Sequence, residues 1–225
     1  MDKGRVLLVN SNTYRTPPVP PLGIEYIAGA LEAAGLRVEI LDLCFSDDPA
    51  ADAAAAVRRI SPLFAGISIR NIDTSLYNNN VNFLPGVRDI VDAIRSAGAP
   101  VVAGGCAVTA APLEVLEETG ADYAVAGPGQ NAAVELARIL AAGDTPPRVT
   151  DGWSLESGAG PVPARPVRGL DYSRYMRDGG LPGFTTSYGC AGRCPYCIEA
   201  GRRVILRDQD AVISELSAMA RAGFS

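Results

Sequence analysis

The chain has 225 residues, of which 48% are hydrophobic and 20% charged, and its net charge is −5. This is the composition of a globular protein with one large domain, or one domain and part of another. The negative charge creates no long-range positive field, which argues against nucleic acid and anionic membranes as partners. The first residues are too polar for a signal peptide, and no apolar run approaches the ~20 residues of a membrane span. We therefore expect a cytoplasmic protein.

Short β-branched runs alternate with alanine-rich amphipathic stretches from residue 5 to residue 143. This alternation predicts a parallel sheet covered by helices. The predicted strands are residues 5–10, 37–43, 64–69, 100–105 and 122–127. The predicted helices, most of which end in glycine, are residues 21–35, 48–60, 86–98, 111–120 and 131–143. Five such units predict a flavodoxin-like (Rossmann-type) α/β domain with a five-stranded sheet over residues 1–143.

The loops that follow these strands are unusual. Those after the first and third strands are long, and those after the fourth and fifth are rich in glycine. Ligands of doubly wound sheets bind at this edge, and long loops there favour binding over simple connection. The alternative is that the glycines only make tight turns. The glycines concerned are Gly104, Gly105, Gly127 and Gly129.

Residues 144–169 are rich in proline and glycine, lack periodicity and are predicted to be a linker. A second unit, residues 170–225, contains a predicted strand in GFTTSYG (183–189). A helix is predicted over residues 208–223, with Asp208 as its N-cap. Its apolar face is predicted to consist of Val212, Leu216, Met219 and Ala220. One strand and one helix cannot bury a core, so we expect further elements to complete this unit.

Three of the five cysteines, Cys190, Cys194 and Cys197, lie within eight positions, and the chain has no histidine. A disulfide would leave one thiol over and close a very tight loop, in a compartment that keeps thiols reduced. Structural zinc usually takes four protein ligands, so a run of three cysteines makes zinc a less favoured alternative but does not exclude it. Three thiolates favour an iron–sulfur cluster with one iron open to another ligand. Cys44 and Cys106 are predicted to be small buried apolar residues.

The run CAGRCPYC (190–197) resembles the C-x-x-x-C-x-aromatic-C signature of the radical S-adenosylmethionine (SAM) superfamily, which follows the first strand of a partial (β/α) barrel. The resemblance implies that the three cysteines bind a [4Fe–4S] cluster whose open iron is chelated by SAM. Reduction by a donor such as flavodoxin or ferredoxin then yields methionine and a 5′-deoxyadenosyl radical. The resemblance also implies that Tyr196, at the aromatic position, lies near the adenine of SAM. The alternative is that its ring only packs beside the cluster.

The first domain resembles the cobalamin-binding domain of one large radical SAM subgroup, through PPLGIEYIAGAL, GISI, VVAGG and AGPGQNAAVEL. The subgroup often has a Gly-Glu-Gly-Glu turn where this chain has residues 127–130, which leaves glycines and backbone amides rather than carboxylates for the cofactor. The lower cobalt face has no histidine ligand here; Arg70 either approaches that face or pairs with a carboxylate or corrin amide. The implied cobalamin contacts are Asn10, Leu22, Ser68, Arg70, Asn71, Gly104, Gly105, Gly127, Gly129 and Gln130.

The resemblance as a whole implies a cobalamin-dependent radical SAM enzyme and favours a methyltransferase. Methylcobalamin would supply the methyl group to a carbon of a small-molecule or peptide substrate. The subgroup also contains cyclases and rearrangement enzymes. Two alternatives remain: a non-catalytic α/β module with a structural metal knuckle, and a radical enzyme without cobalamin. The sequence singles out no catalytic side chain apart from the cofactor ligands.

Overall fold

The computed structural model describes residues 4–155 and 170–221. Its main sheet has six parallel strands: β1 (Arg5–Asn10), β2 (Arg37–Asp42), β3 (Phe64–Ser68), β4 (Val101–Gly104), β5 (Tyr123–Ala126) and β6 (Val149–Asp151). They are ordered β2-β1-β3-β4-β5-β6. The first five are the predicted strands in the flavodoxin-like order, which reverses direction between β1 and β3.

β1 shows why these strands lie inside the domain. Val6 through Val9 are each at most 3% exposed, because β1 pairs with β2 on one side and β3 on the other while helices cover both faces. Leu7 and Val9 belong to one apolar cluster, and Val6 and Leu8 belong to another. A continuous apolar run therefore signals burial on two faces, as expected for a parallel sheet.

Within residues 4–155, seven helices accompany the sheet: α1 (Leu22–Ala33), α2 (Pro49–Ile60), α3 (Leu84–Ser96), α4 (Cys106–Ala110), α5 (Pro112–Thr119), α6 (Gln130–Ala141) and α7 (Gly152–Leu155). α1 and α6 cover one face, and α2, α3, α4 and α5 cover the other. The N-cap of α2 is Asp48, whose carboxylate accepts from the backbone N–H of Ala51 at 3.0 Å. Four helices end within two residues of Gly35, Gly98, Gly120 or Gly143, as predicted.

β6 and α7 lie in the segment whose composition predicts a linker. β6 is a three-residue edge strand that pairs with β5, with Val149 opposite Ala124. Three residues are too few to show the alternation by which a strand is recognised in sequence. Residues 156–169 of the predicted linker lie outside the described residues.

The second region contains α8 (Tyr172–Arg177), β7 (Ser187–Tyr188), β8 (Ile205–Leu206) and α9 (Gln209–Arg221). β7 and β8 form a short antiparallel pair, and the cysteines lie in the loop between them. β7 falls inside the predicted strand. The carboxylate of Asp208 accepts from the backbone N–H of Ala211 at 2.9 Å, which confirms the predicted cap of α9.

The predicted apolar face of α9 is partly wrong. Met219 is buried, but Leu216 is 39% exposed and Ala220 is exposed, while Glu215 is 2% exposed. The helix is oriented with Glu215 pointing inward, because Glu215 forms an ion pair with the buried side chain of Arg207. None of the helices in residues 4–155 and 170–221 is long and apolar enough to cross a membrane.

Candidate functional site

A cavity of about 440 Å³ opens at the carboxyl edge of the sheet. The sheet domain supplies a largely apolar wall, made of Leu8, Ile24, Ile27, Phe64, Val102, Val125 and Ala133. The cysteine region supplies the opposite wall through Ser187, Tyr188, Gly189, Ile198 and Glu199. The volume is in the range of small-molecule sites, roughly 300–1,000 Å³. The cavity therefore joins the two regions at the edge where ligands of such sheets bind.

Six of the predicted contact residues line this cavity: Ser68, Gly104, Gly105, Gly127, Gly129 and Gln130. Gly105 has φ +105°, and a Cβ there would lie 2.5 Å from the carbonyl oxygen of Ile69. No other residue type fits that position without moving the backbone. The close backbone approach thus requires glycine at position 105, and the same residue forms part of the cavity wall. A role in a tight turn and a role in ligand binding are therefore compatible at Gly105.

The other predicted contact residues lie elsewhere. Arg70 and Asn71 line a second cavity of about 350 Å³ beside the starts of α2 and α3. Leu22 is the first residue of α1 and is absent from both cavity walls. Asn10 is 2% exposed, and its side chain donates to Asp42 Oδ1 at 2.8 Å. Neither Asn10 nor Leu22 lines either of these two cavities, and their contact with cobalamin stays a prediction.

α8 is attached to the outer edge of the sheet by Tyr175. Its hydroxyl donates to the carboxylate of Asp42, at 3.0 Å and 2.9 Å from the two oxygens, and accepts from Asn10 Nδ2 at 3.2 Å. Burial, and then the negative charge of Asp42, raise the pKa of Tyr175. Cys44, close by, is fully buried as predicted, and burial raises the pKa of its thiol. The tyrosine is thus held in its neutral, donating form.

A second buried polar contact joins α1 to the cysteine region. Arg207, next to β8, forms an ion pair with Glu215 of α9 at 2.7 Å, and both side chains are at most 1% exposed. Arg207 also donates to the hydroxyl of Tyr26 in α1 at 2.9 Å, and that hydroxyl donates to Glu215 at 2.9 Å. Burial is the largest cause of the raised pKa of Tyr26. These three side chains form the buried triad.

Gln130 connects the first turn of α6 to β7. Its Nε2 donates to the hydroxyl of Tyr188 at 2.7 Å, and both side chains line the large cavity. Tyr188 precedes Gly189 and Cys190, so this bond ties the cavity wall to the beginning of the cysteine loop. The glutamine, which occupies the last position of the Gly127–Gln130 turn, therefore acts as a hydrogen-bond donor between the two regions.

The cysteine loop presents Cys190, Cys194 and Cys197 as free, exposed thiols. The backbone N–H of Gly192 donates to Cys190 Sγ at 3.3 Å, and that of Cys197 donates to the carbonyl of Cys194 at 3.1 Å. Tyr196 is 87% exposed. Within the described ranges, no group of three histidine, cysteine, aspartate or glutamate side chains is arranged to hold a metal ion.

Several residues at the site are not predicted by the sequence. Cys106 was expected to be buried, but it is exposed and lines the large cavity, because it starts α4 at the open edge of the sheet. Trp153 and Glu199 also line this cavity. Trp153 lies in the predicted linker, where as the only tryptophan of the chain it was the one available signal. Arg207 and Glu215 are ordinary charged residues until the fold buries them.

Comparison with known proteins gives one family match and several full-length alignments of this chain. The model of the B12 binding domain family matches residues 12–137. The tryptophan 2-C-methyltransferase of Streptomyces laurentii is 28% identical, over 98% of this chain and 48% of that protein.

Two solved structures extend the likeness to the cysteine region. The radical SAM methyltransferase TsrM from Kitasatospora setae, with cobalamin and a [4Fe–4S] cluster bound, has a TM-score of 0.84 and 31% identity, over 100% of this chain and 48% of that chain. The cobalamin-dependent radical SAM enzyme OxsB, with aqua-cobalamin and SAM bound, has a TM-score of 0.76. Its 16% identity, over 98% of this chain and 32% of that chain, shows a likeness of fold. The chain spans about half the length of the two methyltransferases.

Proposed function

Because the chain belongs to the B12-binding domain family and is homologous to the radical SAM methyltransferase TsrM, we propose that it binds cobalamin, a [4Fe–4S] cluster and SAM in order to methylate a carbon of a small molecule. The observation that carries the proposal is the large cavity at the carboxyl edge of the sheet. One of its walls is the glycine-rich edge of the sheet domain, and the other is the segment that flanks the cysteine loop. The cavity thus brings the two candidate cofactor sites together.

The residues of the cavity suit cobalamin. Its apolar wall suits an aromatic nucleotide tail, and Gly104 leaves open space where a side chain would stand. Ser68 and Gln130 add polar groups at the strand ends. When bound, cobalamin supplies a methyl carrier that no side chain replaces. The residues of the chain have the task of binding it, orienting it and excluding water from the reacting atoms.

The cysteine loop suits an iron–sulfur cluster. It offers three free thiols within eight positions, and the N–H of Gly192 donates to sulfur, as amides do around protein-bound clusters. When bound by these thiols, the cluster would supply one-electron reduction of SAM, so the proposal includes an external one-electron donor such as flavodoxin or ferredoxin. Tyr196, exposed beside Cys197, remains the proposed neighbour of the SAM adenine. We further propose a cytoplasmic location and a functional boundary between residues 1–143 and 170–225.

Tryptophan is the proposed substrate. The relative from Streptomyces laurentii is a tryptophan 2-C-methyltransferase, and TsrM has been solved with tryptophan and a SAM analogue at 30% identity, over 98% of this chain and 46% of that chain. The cavity of about 440 Å³ is also large enough for a small aromatic amino acid. We propose that the amino acid and the cofactors overlap in only part of this space.

The test is anaerobic reconstitution of the full protein with iron, sulfide and hydroxocobalamin, followed by absorption spectroscopy and iron and cobalt analysis. We expect about four irons per chain, as in a [4Fe–4S] cluster, and one equivalent of cobalt. Iron without cobalt would overturn the cobalamin site, and the absence of both metals would overturn both sites. Loaded protein is then incubated with SAM, a reductant and tryptophan. Failure of tryptophan to gain a methyl group would overturn the substrate alone.

A further inference from the structure

The cysteine side of the large cavity has no apolar core of its own. In residues 181–206, all of which belong to the described part of the chain, no side chain is buried. The segment is ordered by β7 and β8, each two residues long, and by bonds inside the loop, such as that from the Gly201 N–H to the Gly192 carbonyl at 2.7 Å. A segment with few buried contacts opens at a low free-energy cost. Its position against the sheet domain therefore depends on individual contacts.

Gln130 makes one of these contacts from the sheet domain. It is the first residue of α6 and is 6% exposed, and its Nε2 donates to the Tyr188 hydroxyl at 2.7 Å. The turn that precedes it is held by the N–H of Gly127, which donates to Thr109 Oγ1 at 2.9 Å. The amide donor is therefore fixed to the sheet domain, while its acceptor lies in the cysteine region.

Tyr188 connects this donor to the cysteine loop. It belongs to β7 and pairs with β8. The next residue, Gly189, has φ +75°, and a Cβ there would overlap the carbonyl of Arg203, so the backbone has little freedom at this point. Cys190 follows directly. The position of Tyr188 therefore determines where the cysteine loop begins.

We propose that Gln130 is a positioning residue, which holds the cysteine side of the cavity in place through Tyr188 before either cofactor binds. The inference rests on the proposed function, because it takes cobalamin and the [4Fe–4S] cluster as the ligands. Residues 187–189, 198 and 199 form one wall of the cavity. When this wall is displaced in part of the protein population, the apparent Kd rises by the inverse of the fraction that can bind. Gln130 thus lowers the Kd of cobalamin without having to touch it.

The first experiment measures amide hydrogen exchange in the full protein without cofactors. Gln130→Met removes the donor at nearly unchanged size, and Tyr188→Phe removes the hydroxyl. Each should speed exchange of the hydrogen-bonded amides in residues 187–201 by about three- to tenfold, the effect of one hydrogen bond. Asn131→Leu is the matched control, because this neighbouring amide is exposed and donates to the Leu155 carbonyl within the sheet domain at 3.2 Å.

The strands β1 and β3 are the internal reference for this experiment. Loss of the whole fold would speed exchange in these strands as well, whereas loss of the Gln130–Tyr188 bond should leave them unchanged. The two substitutions lie in different regions, so each tests the bond independently of the other.

The second experiment measures the Kd of hydroxocobalamin by equilibrium dialysis, with and without the reconstituted cluster. Without the cluster, each single variant should bind about three- to tenfold more weakly than the wild type. The double variant should be no weaker than either single variant, because both substitutions remove the same bond. Loading the cluster, which fixes the cysteine loop, should recover most of the loss.

Losses that add in the double variant and that the cluster does not reduce would indicate direct contacts with cobalamin and would overturn the positioning role. Wild-type Kd values in both variants, or unchanged hydrogen exchange in residues 187–201, would also overturn it. A wild-type protein that binds no cobalamin would instead overturn the proposed function, while the exchange experiment would still decide whether Gln130 positions the loop.

Discussion

The two regions of the molecule are stabilised by different kinds of interaction. The sheet domain, residues 4–155, buries continuous apolar runs on both faces of six strands. In residues 170–221, by contrast, the buried apolar side chains are Tyr172, Tyr175 and Met219. Both tyrosines use their hydroxyls to bond carboxylates of the sheet domain, Tyr172 to Glu25 and Tyr175 to Asp42. The second region thus depends on directional polar contacts with the first.

This difference matters for a site built between the regions. Apolar burial stabilises a domain without specifying orientation, because it is roughly proportional to area. Hydrogen bonds and buried ion pairs have strict geometry, and an unpaired partner is costly. The buried triad, the Tyr175–Asp42 contact and the Gln130–Tyr188 bond therefore determine where the cysteine loop lies relative to the cavity. The following predictions test this division, from the largest expected effect to the smallest.

The largest effect is expected in the second region alone. Cys194→Ala should reduce iron in the reconstituted protein from about four per chain to near zero, because one of three cluster thiolates is lost. Cobalt content should be unchanged, since Cys194 is not part of the cavity wall. Cys106→Ala, at an exposed cysteine outside the loop, is the control and should keep its iron. Full iron in the Cys194 variant would contradict the assignment.

The buried triad should be the most sensitive contact between the regions. Arg207→Met leaves Glu215 buried without its cation and should lower the free energy of unfolding by about 3–5 kcal/mol, as measured in urea. The double substitution Arg207→Met with Glu215→Leu should be less damaging, because no charge is left unpaired.

Arg138→Met is the matched control for the triad. It breaks the Arg138–Glu135 pair, which is exposed, and should change stability little. Equal losses in the Arg207 and Arg138 variants would show that burial of the triad has no energetic importance.

The sheet domain should be most sensitive at the backbone. Gly105→Ala should lower the free energy of unfolding by about 1–3 kcal/mol, because alanine is strained at φ +105° and its Cβ would meet the carbonyl of Ile69. Gly104→Ala is the neighbouring control, since a Cβ there meets nothing within 4 Å. Thermal unfolding of both variants measures the difference, and an equal shift in both would exclude backbone strain as the cause.

The smallest effect is a dependence on alkaline pH. Burial raises the pKa of Tyr175 above its ordinary value of 10.0, so above pH 10 the unfolded chain loses a proton that the folded protein keeps. The contribution of Tyr175 to the free energy of unfolding is therefore fully present below pH 10 and falls as pH rises above it. Partial solvent screening keeps the slope below the limit of about 1.4 kcal/mol per pH unit for one proton.

Tyr175→Phe should flatten this alkaline slope, as measured by urea unfolding between pH 9 and pH 11. Tyr77→Phe, at a fully exposed tyrosine, should leave the slope unchanged. The same slope in the wild type and the Tyr175 variant would show that this hydroxyl does not control alkaline stability.

Local sequence was sufficient for features that depend on neighbours along the chain. The strands of residues 5–126 were recognisable because burial on two faces requires continuous apolar runs. The cysteine spacing lies within eight residues, and the cap of α9 lies within three. Each of these signals is complete within a short window, so no tertiary contact was needed to predict it.

Contacts between distant residues decided the rest. β6 exists because three residues pair with β5, and α9 is turned by an arginine that meets Tyr26, 181 positions away. Asn10 bonds Asp42 and Tyr175, which lie 32 and 165 positions away along the chain. Trp153 reaches the cavity only because its ring packs on Gly127. Amino-acid composition and hydrophobic periodicity do not indicate such distant partners, because the energy of a directional contact depends on the positions of both groups.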